Sequence, residues 1–165
     1  MSERKPVIGV MGGADISKDI YNSVFELGAL IAEQGWVLLN GGRDTGVMRA
    51  SAAGAKSKNG TTIGILPNAD SSQANPYIDF AIVTNMGDAR NVINVLTSDV
   101  VIVCPGKAGT ISEAALALKS SKPVILLGMD VEGIFQEYAD RGLLWTAHTA
   151  VDCVDMIKSL LKNSP

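Results

Sequence analysis

Reactive side chains are scarce in this chain of 165 residues. The two cysteines, Cys104 and Cys153, lie far apart without CxxC spacing, so neither a disulfide framework nor a zinc site is indicated. His148 is the one histidine, which excludes a histidine-based metal cluster or a Ser-His-Asp triad within one chain. With no partner evident in sequence, His148 reads as structural or exposed. No apolar stretch reaches the roughly 18 residues of a membrane-spanning helix, and the polar start, Met1 to Lys5, lacks a signal-peptide core. Together these features point to a reducing cytoplasm and away from a membrane. Basic residues are scattered and the formal net charge is −3, which argues against a nucleic-acid surface. The dinucleotide fingerprint GxGxxG and the P-loop GxxxxGK[ST] are both missing, so NAD and ATP chemistry are disfavoured.

What remains is an ordinary globular composition, 47% hydrophobic and 19% charged, in a length suited to one domain. Short apolar runs alternate with longer amphipathic segments. Strands are expected at 7–11, 36–39, 62–66, 78–83, 100–104 and 123–127. Helices are expected at 17–34, 46–58, 88–96, 110–119, 131–141 and 150–161, with a polar loop at 67–77. Strand–helix alternation implies parallel strands joined by right-handed crossovers. No repeat, low-complexity tract or linker divides the chain. The reading is one Rossmann-like, doubly wound α/β domain over 1–165, a mostly parallel sheet with helices on both faces. Ligands of such sheets sit at the carboxyl ends of the strands, near the topological switch point.

Three glycine-bearing turns fall at those ends: Gly12-Gly13, Gly41-Gly42 and Gly106 to Gly109. Glycine lets backbone N–H groups approach an anion, and the helix that follows adds its positive end. Ordinary strand-to-helix turns use glycine too, but three on one edge favour a phosphate-bearing ligand. Thr110-Ile111-Ser112-Glu113 carries two readings. As structure it is a capping box, with Thr110 capping the helix and Glu113 reaching back to a backbone N–H. As function, Thr110 donates to a phosphate and Glu113 faces a pocket as acid or nucleophile. Arg90 is a candidate anion ligand. Cys104 ends the most apolar strand and reads as a small hydrophobe, with a thiolate near the ligand as the alternative.

The run Gly41-Gly42-Arg43-Asp44-Thr45-Gly46-Val47-Met48 resembles the GGxxxGxM turn of the lysine-decarboxylase-like, or LONELY GUY, superfamily. Pro105-Gly106-Lys107-Ala108-Gly109-Thr110-Ile111-Ser112-Glu113 resembles its PGGxGTxxE signature, and Arg90 stands nine residues before Asp99 as the superfamily's Arg does. Members that hydrolyse cytokinin nucleotides imply catalytic roles for Arg90 and Glu113. The segment Met86-Gly87-Asp88-Ala89-Arg90-Asn91 lacks their His, has Asn91 for their Lys and places Met86 one residue farther from the Arg, and Lys107 replaces a glycine. These departures count against hydrolysis. No pyridoxal-site constellation supports lysine decarboxylation.

From Arg4 to Leu161 the chain is more similar to the molybdenum cofactor carrier branch. The likeness is carried by Arg4 to Gly12, Gly60 to Pro67, Ala89 to Asn94, Glu113 to Lys119 and Lys122 to Gly128. The resemblance implies a homodimer or homotetramer that binds the pterin-based molybdenum cofactor (molybdopterin) without catalysis and delivers it to molybdoenzymes such as nitrate reductase. The implied contacts are Gly12, Gly13, Gly41, Gly42, Arg43, Gly46, Met48, Arg90, Asn91, Gly106, Lys107, Gly109, Thr110 and Glu113, with no protein-held metal. A nucleoside 5′-monophosphate phosphoribohydrolase using Arg90 and Glu113 is the enzyme alternative, and a nucleotide-sensing module of the same fold is a third.

Overall fold

The computed structural model describes residues 4–131 and 133–162. Apolar, largely β-branched runs form β1 (Val7–Met11), β2 (Val37–Asn40), β3 (Thr61–Leu66), β4 (Phe80–Val83), β5 (Val100–Val103) and β6 (Val124–Leu127). The amphipathic segments form α1 (Lys18–Glu33), α2 (Gly46–Ser57), α3 (Asn91–Thr97), α4 (Ala108–Lys119), α5 (Gln136–Asp140) and α6 (Ala150–Lys162). Local chemistry sets the ends of α1. The Ser17 hydroxyl accepts from the Ile20 N–H at 3.3 Å, and Gly35, at φ +74°, stops the helix.

Every strand pair is parallel, in the order β4-β3-β2-β1-β5-β6-β7, where β7 is Leu144–Ala147. The period of two sends alternate residues of one strand into different cores. Ile8, Val10, Val100, Ile102 and Cys104 pack beneath α1, α2 and α6. Met11, Val101, Val103, Val124 and Leu126 pack beneath α3 and α4. Both faces of the central strands are dry, which is why these strands read as continuous apolar runs. The fold is the doubly wound, Rossmann-like α/β sheet expected.

Four local expectations are corrected. The helix expected over 131–141 is a shorter α5 preceded by turns; Glu132 lies outside the described residues, and Gly133 at φ +78° breaks helical geometry. Strand β7 was not foreseen, because four residues with one half-buried face carry little periodic signal; pairing with β6 along Val124↔Leu144 to Leu127↔Ala147 makes it a strand. The helix expected over 88–96 is a 3₁₀ turn, Gly87–Arg90, followed by α3. Finally, α4 starts at Ala108 instead of Thr110, with consequences for the site.

Helices α1 and α2 cross on glycine. A methyl group on Gly54 would stand 1.9 Å from the Phe25 carbonyl oxygen, and one on Gly28 would stand 2.1 Å from that of Ser51. Because both obstacles are backbone, they cannot rotate away, and the helices would have to separate. Gly54→Ala is expected to destabilise by about 1–3 kcal/mol through this overpacking. At about 2–4 °C per kcal/mol for a chain of this size, the loss is readable by thermal denaturation. An unchanged Tm would show that the two helices do not depend on the contact.

Candidate ligand-binding site

Strand order reverses between β1 and β5, so the chain winds outward from this pair in both directions and leaves a crevice at their carboxyl ends. A cavity of about 280 Å³ lies there. Its walls come from four segments. The β1 turn supplies Gly12 and Gly13, and its amide holds the facing turn: the Gly13 N–H donates to the Pro105 carbonyl at 2.9 Å. The same turn is tied to α2, since the Val47 N–H donates to the Gly13 carbonyl at 3.0 Å.

The β2 turn is built around Asn40, which is fully buried. Its Oδ1 accepts from the Gly42 N–H at 2.8 Å, while its Nδ2 donates to the Met48 carbonyl at 2.8 Å and the Ser51 hydroxyl at 3.0 Å. One amide thereby satisfies the turn and the α2 start together, leaving Gly41 and Met48 on the cavity wall. Arg90 approaches the same turn from the 3₁₀ segment. Its Nη1 donates to the carbonyls of Gly41 and Ile65, at the ends of β2 and β3, while its Nε is buried without a partner. Burial pushes the guanidinium below its ordinary pKa, opposed by the charge of Glu113, with Arg43 adding repulsion and Asp88 further attraction.

The fourth segment is the start of α4. Lys107 occupies the N-cap position without a side-chain cap bond, and Ile111 is the residue whose N–H closes back onto the Lys107 carbonyl, at 3.1 Å. The amides of Ala108, Gly109 and Thr110 therefore precede the first intrahelical bond, where the helix carries its partial positive charge. A methyl on Gly106 would stand 2.0 Å from the Thr110 hydroxyl oxygen, so glycine lets that turn close on the helix. At Gly109 a methyl would meet nothing within 4 Å, so this glycine leaves open space on the cavity rim.

The earlier start of α4 overturns the capping box. Thr110 lies inside the first turn, and Glu113 does not reach back to a cap. Glu113 is instead buried between helices, where its Oε1 accepts from Asn94 Nδ2 on α3 at 2.9 Å. Burial raises its pKa above the usual carboxylate range; the Asn94 hydrogen bond and Arg90's charge oppose this, and Asp88 adds to it.

Of the residues expected from sequence, Gly12, Gly13, Gly41, Met48, Arg90, Asn91, Gly106, Lys107, Gly109, Thr110 and Glu113 line the cavity. Gly42, Arg43 and Gly46 do not. Gly42 is packed against Leu66 and Gly64, Gly46 sits against the Gly13 carbonyl, and exposed Arg43 bridges to Ala74 of the 67–77 loop. Sequence reasoning missed the wall residues Asp15 and Asp88, and the buried positioning amides Asn40 and Asn94. The available signals were an Asn closing an apolar strand before Gly41-Gly42, and an Asn between Ile93 and Val95 on a short apolar helix. Cys104 is fully buried in the core and is not among the cavity-lining residues, and burial raises its thiol pKa, which fits the small-hydrophobe reading. His148 is exposed at the start of α6, away from the cavity.

A doubly wound sheet with a glycine-walled cavity and a helix start at its switch point defines a Rossmann-like α/β protein with a candidate small-molecule site. More particularly, the chain belongs to the SLOG cluster4 family, whose profile matches residues 5–154. It is similar to the molybdenum cofactor binding protein of Rippkaea orientalis, with 48% identity, a TM-score of 0.92, and 97% of this chain and 99% of that one covered. It is also similar to the molybdenum cofactor carrier protein of Chlamydomonas reinhardtii, with 42% identity, a TM-score of 0.87, and 97% and 100% covered. An uncharacterised protein of Archaeoglobus fulgidus is 47% identical over 75% of this chain and 85% of its own length. A cytokinin riboside 5′-monophosphate phosphoribohydrolase of Mycobacterium tuberculosis is 38% identical over 53% of this chain and 48% of its own length.

Titration of Glu113 has a sign that can be measured. The folded chain holds this proton more tightly than the unfolded chain does, so stability is lost as pH rises from the ordinary glutamate value, about 4.3, through the raised one. Glu113→Gln removes that loss while keeping an acceptor for Asn94. The variant is expected to melt above wild type at neutral pH, the difference shrinking toward pH 4 or so. A variant that melts lower at pH 7 would contradict the direction of the shift.

Proposed function

We propose that the protein binds, shields and delivers molybdenum cofactor without catalysing a reaction on it. The observation that carries this reading is the convergence of the β1, β2 and β5 turns and the α4 start on one cavity, in a chain of which 97% aligns, at 42–48% identity, with molybdenum cofactor binders. The residues fit the group. The cofactor offers a terminal phosphate and an anionic oxo-molybdenum dithiolene, and it supplies redox chemistry to whichever enzyme receives it. The first-turn amides of α4, the Thr110 hydroxyl and the Lys107 ammonium would hold the phosphate, while the open space at Gly109 leaves it room. The buried Nε of Arg90 is a further unmatched donor at the wall. Recipients of the cofactor would be molybdoenzymes such as nitrate reductase, met in the cytoplasm; no described helix is long and apolar enough to cross a membrane.

The test is transfer: the protein is incubated with a donor molybdoenzyme, re-isolated, and asked to restore activity to a cofactor-free recipient. Uptake and return of active cofactor are expected. Thr110→Val should weaken binding by about 1–3 kcal/mol through the lost hydrogen bond to a charged oxygen. The phosphoribohydrolase alternative rests on Arg90 and Glu113 sharing the cavity. Against it, Nη1 of Arg90 is committed to two carbonyls. Release of adenine from AMP, lost in Glu113→Gln, would replace the carrier with an enzyme.

The reading includes a homodimer or homotetramer. Val92 and Leu96 on α3 and Phe80 and Ile82 on edge strand β4 are 41–60% exposed, an apolar surface of the kind that a second copy covers. Light scattering is expected to return a multiple of the 17.3 kDa chain; a monomer at micromolar concentrations would remove this part of the proposal.

A further inference from the structure

The cavity is poorly designed for a ligand that is negative throughout. Three carboxylates, Asp15, Asp88 and Glu113, line it against two cations, Arg90 and Lys107. Positive potential is concentrated at the α4 start, and the deepest carboxylate, Glu113, lies one turn along the same helix face. A ligand that satisfies both ends carries an anion at one end and a group rich in N–H donors at the other.

Glu113 is held for such a group. Asn94 is fully buried on α3 and donates to Oε1 at 2.9 Å, fixing the carboxylate between α3 and α4. No donor among the described residues bonds Oε2, and that oxygen is not among the buried atoms left without partners. A carboxylate has about four acceptor positions on its two oxygens, of which Asn94 takes one. Arg90 forms no ion pair with Glu113, its Nη1 being held by carbonyls. A side chain that costs stability when charged is kept where it faces the cavity with acceptor capacity to spare.

Resting on the carrier reading above, we propose that Glu113, positioned by Asn94, is the specificity determinant for the 2-amino-4-oxopyrimidine edge of the ligand's pterin ring. That edge presents an N3–H and a 2-amino N–H side by side, the same fork geometry that a carboxylate accepts from a guanidinium. Replacing the 2-amino group by an oxo group turns a donor into an acceptor and sets it against a buried carboxylate. A site that hydrogen-bonds a substrate N–H discriminates strongly against the analogue lacking it.

The probes are 6-hydroxymethylpterin phosphate and its deaminated counterpart, 6-hydroxymethyllumazine phosphate, titrated calorimetrically into the full chain. Wild type is expected to prefer the pterin by about tenfold or more. Glu113→Gln, whose amide presents a donor as well as an acceptor, should bring the preference to unity or invert it. Asn94→Leu should reduce the preference by freeing the carboxylate. Thr110→Val should weaken both probes equally and leave their ratio intact. Equal wild-type affinities, a ratio unchanged in Glu113→Gln, or no binding of either probe at millimolar concentration would each overturn the assignment. Uptake of molybdenum cofactor is measured on the same preparations. Cofactor uptake without pterin preference removes this inference and leaves the carrier; no uptake removes the carrier itself.

Discussion

Where the sheet reverses its winding, the turns after β1 and β5 are closed on each other by the hydrogen bond from the Gly13 N–H to the Pro105 carbonyl, just beyond the strand pairing that ends with the Cys104 N–H on the Met11 carbonyl. Strands β1 and β5 are neighbours in the sheet but are separated by three other strands in sequence. Crossover helices cannot bridge their carboxyl ends, because α1 leaves toward β2 and α4 leaves toward β6. The space between the two turns is therefore a necessary gap, and its width is set where the turns touch. Bulk at either turn would pry them apart: a methyl on Gly13 would stand 3.1 Å from both the Pro105 oxygen and the Gly106 Cα. Cavity, helix start and donor set all depend on this closure.

Around that gap, buried polar side chains do what apolar packing cannot. Asn40, Arg90 and Asn94 come from different elements, and each directs its donors toward groups that would otherwise be orphaned or misplaced. Arg90 ties the ends of β2 and β3 to the segment preceding α3. Asn94 ties α3 to α4. The α3 and α4 face of the sheet is thus cross-linked at the cavity, and on the opposite face Asn40 ties the end of β2 to α2 beside an apolar core. Burial of three such polar groups is costly unless each is matched, and two of them retain unmatched atoms, Arg90 Nε and Asn94 Oδ1.

Members of one superfamily can use this frame for hydrolysis or for carriage because the frame itself is neutral between them. Glycine turns and a helix start suit a phosphate in either case. The difference lies in how charged groups near the scissile position are committed. Here an arginine is held by carbonyls and a glutamate by an amide, so both are arranged as parts of a rigid wall.

Much of the fold was legible in the sequence, because its signals are local. The periods of two and 3.6 are properties of neighbours along the chain, and six of the seven strands could be read from them. The glycine motifs likewise located the carboxyl edge, and the resemblance carried by residues 4–161 indicated the family. What only the tertiary structure decided is which distant groups meet. Glu113 is a plausible cap by spacing, yet its partner is Asn94, nineteen residues away. Arg90 is a plausible anion ligand, yet its Nη1 is held by carbonyls 49 and 25 residues away. Strand β7 exists because β6 offers it an edge. Sequence specifies conformation where each residue's choice is made against its near neighbours; partners are chosen by the sheet order, which brings together residues with no periodic relation to one another.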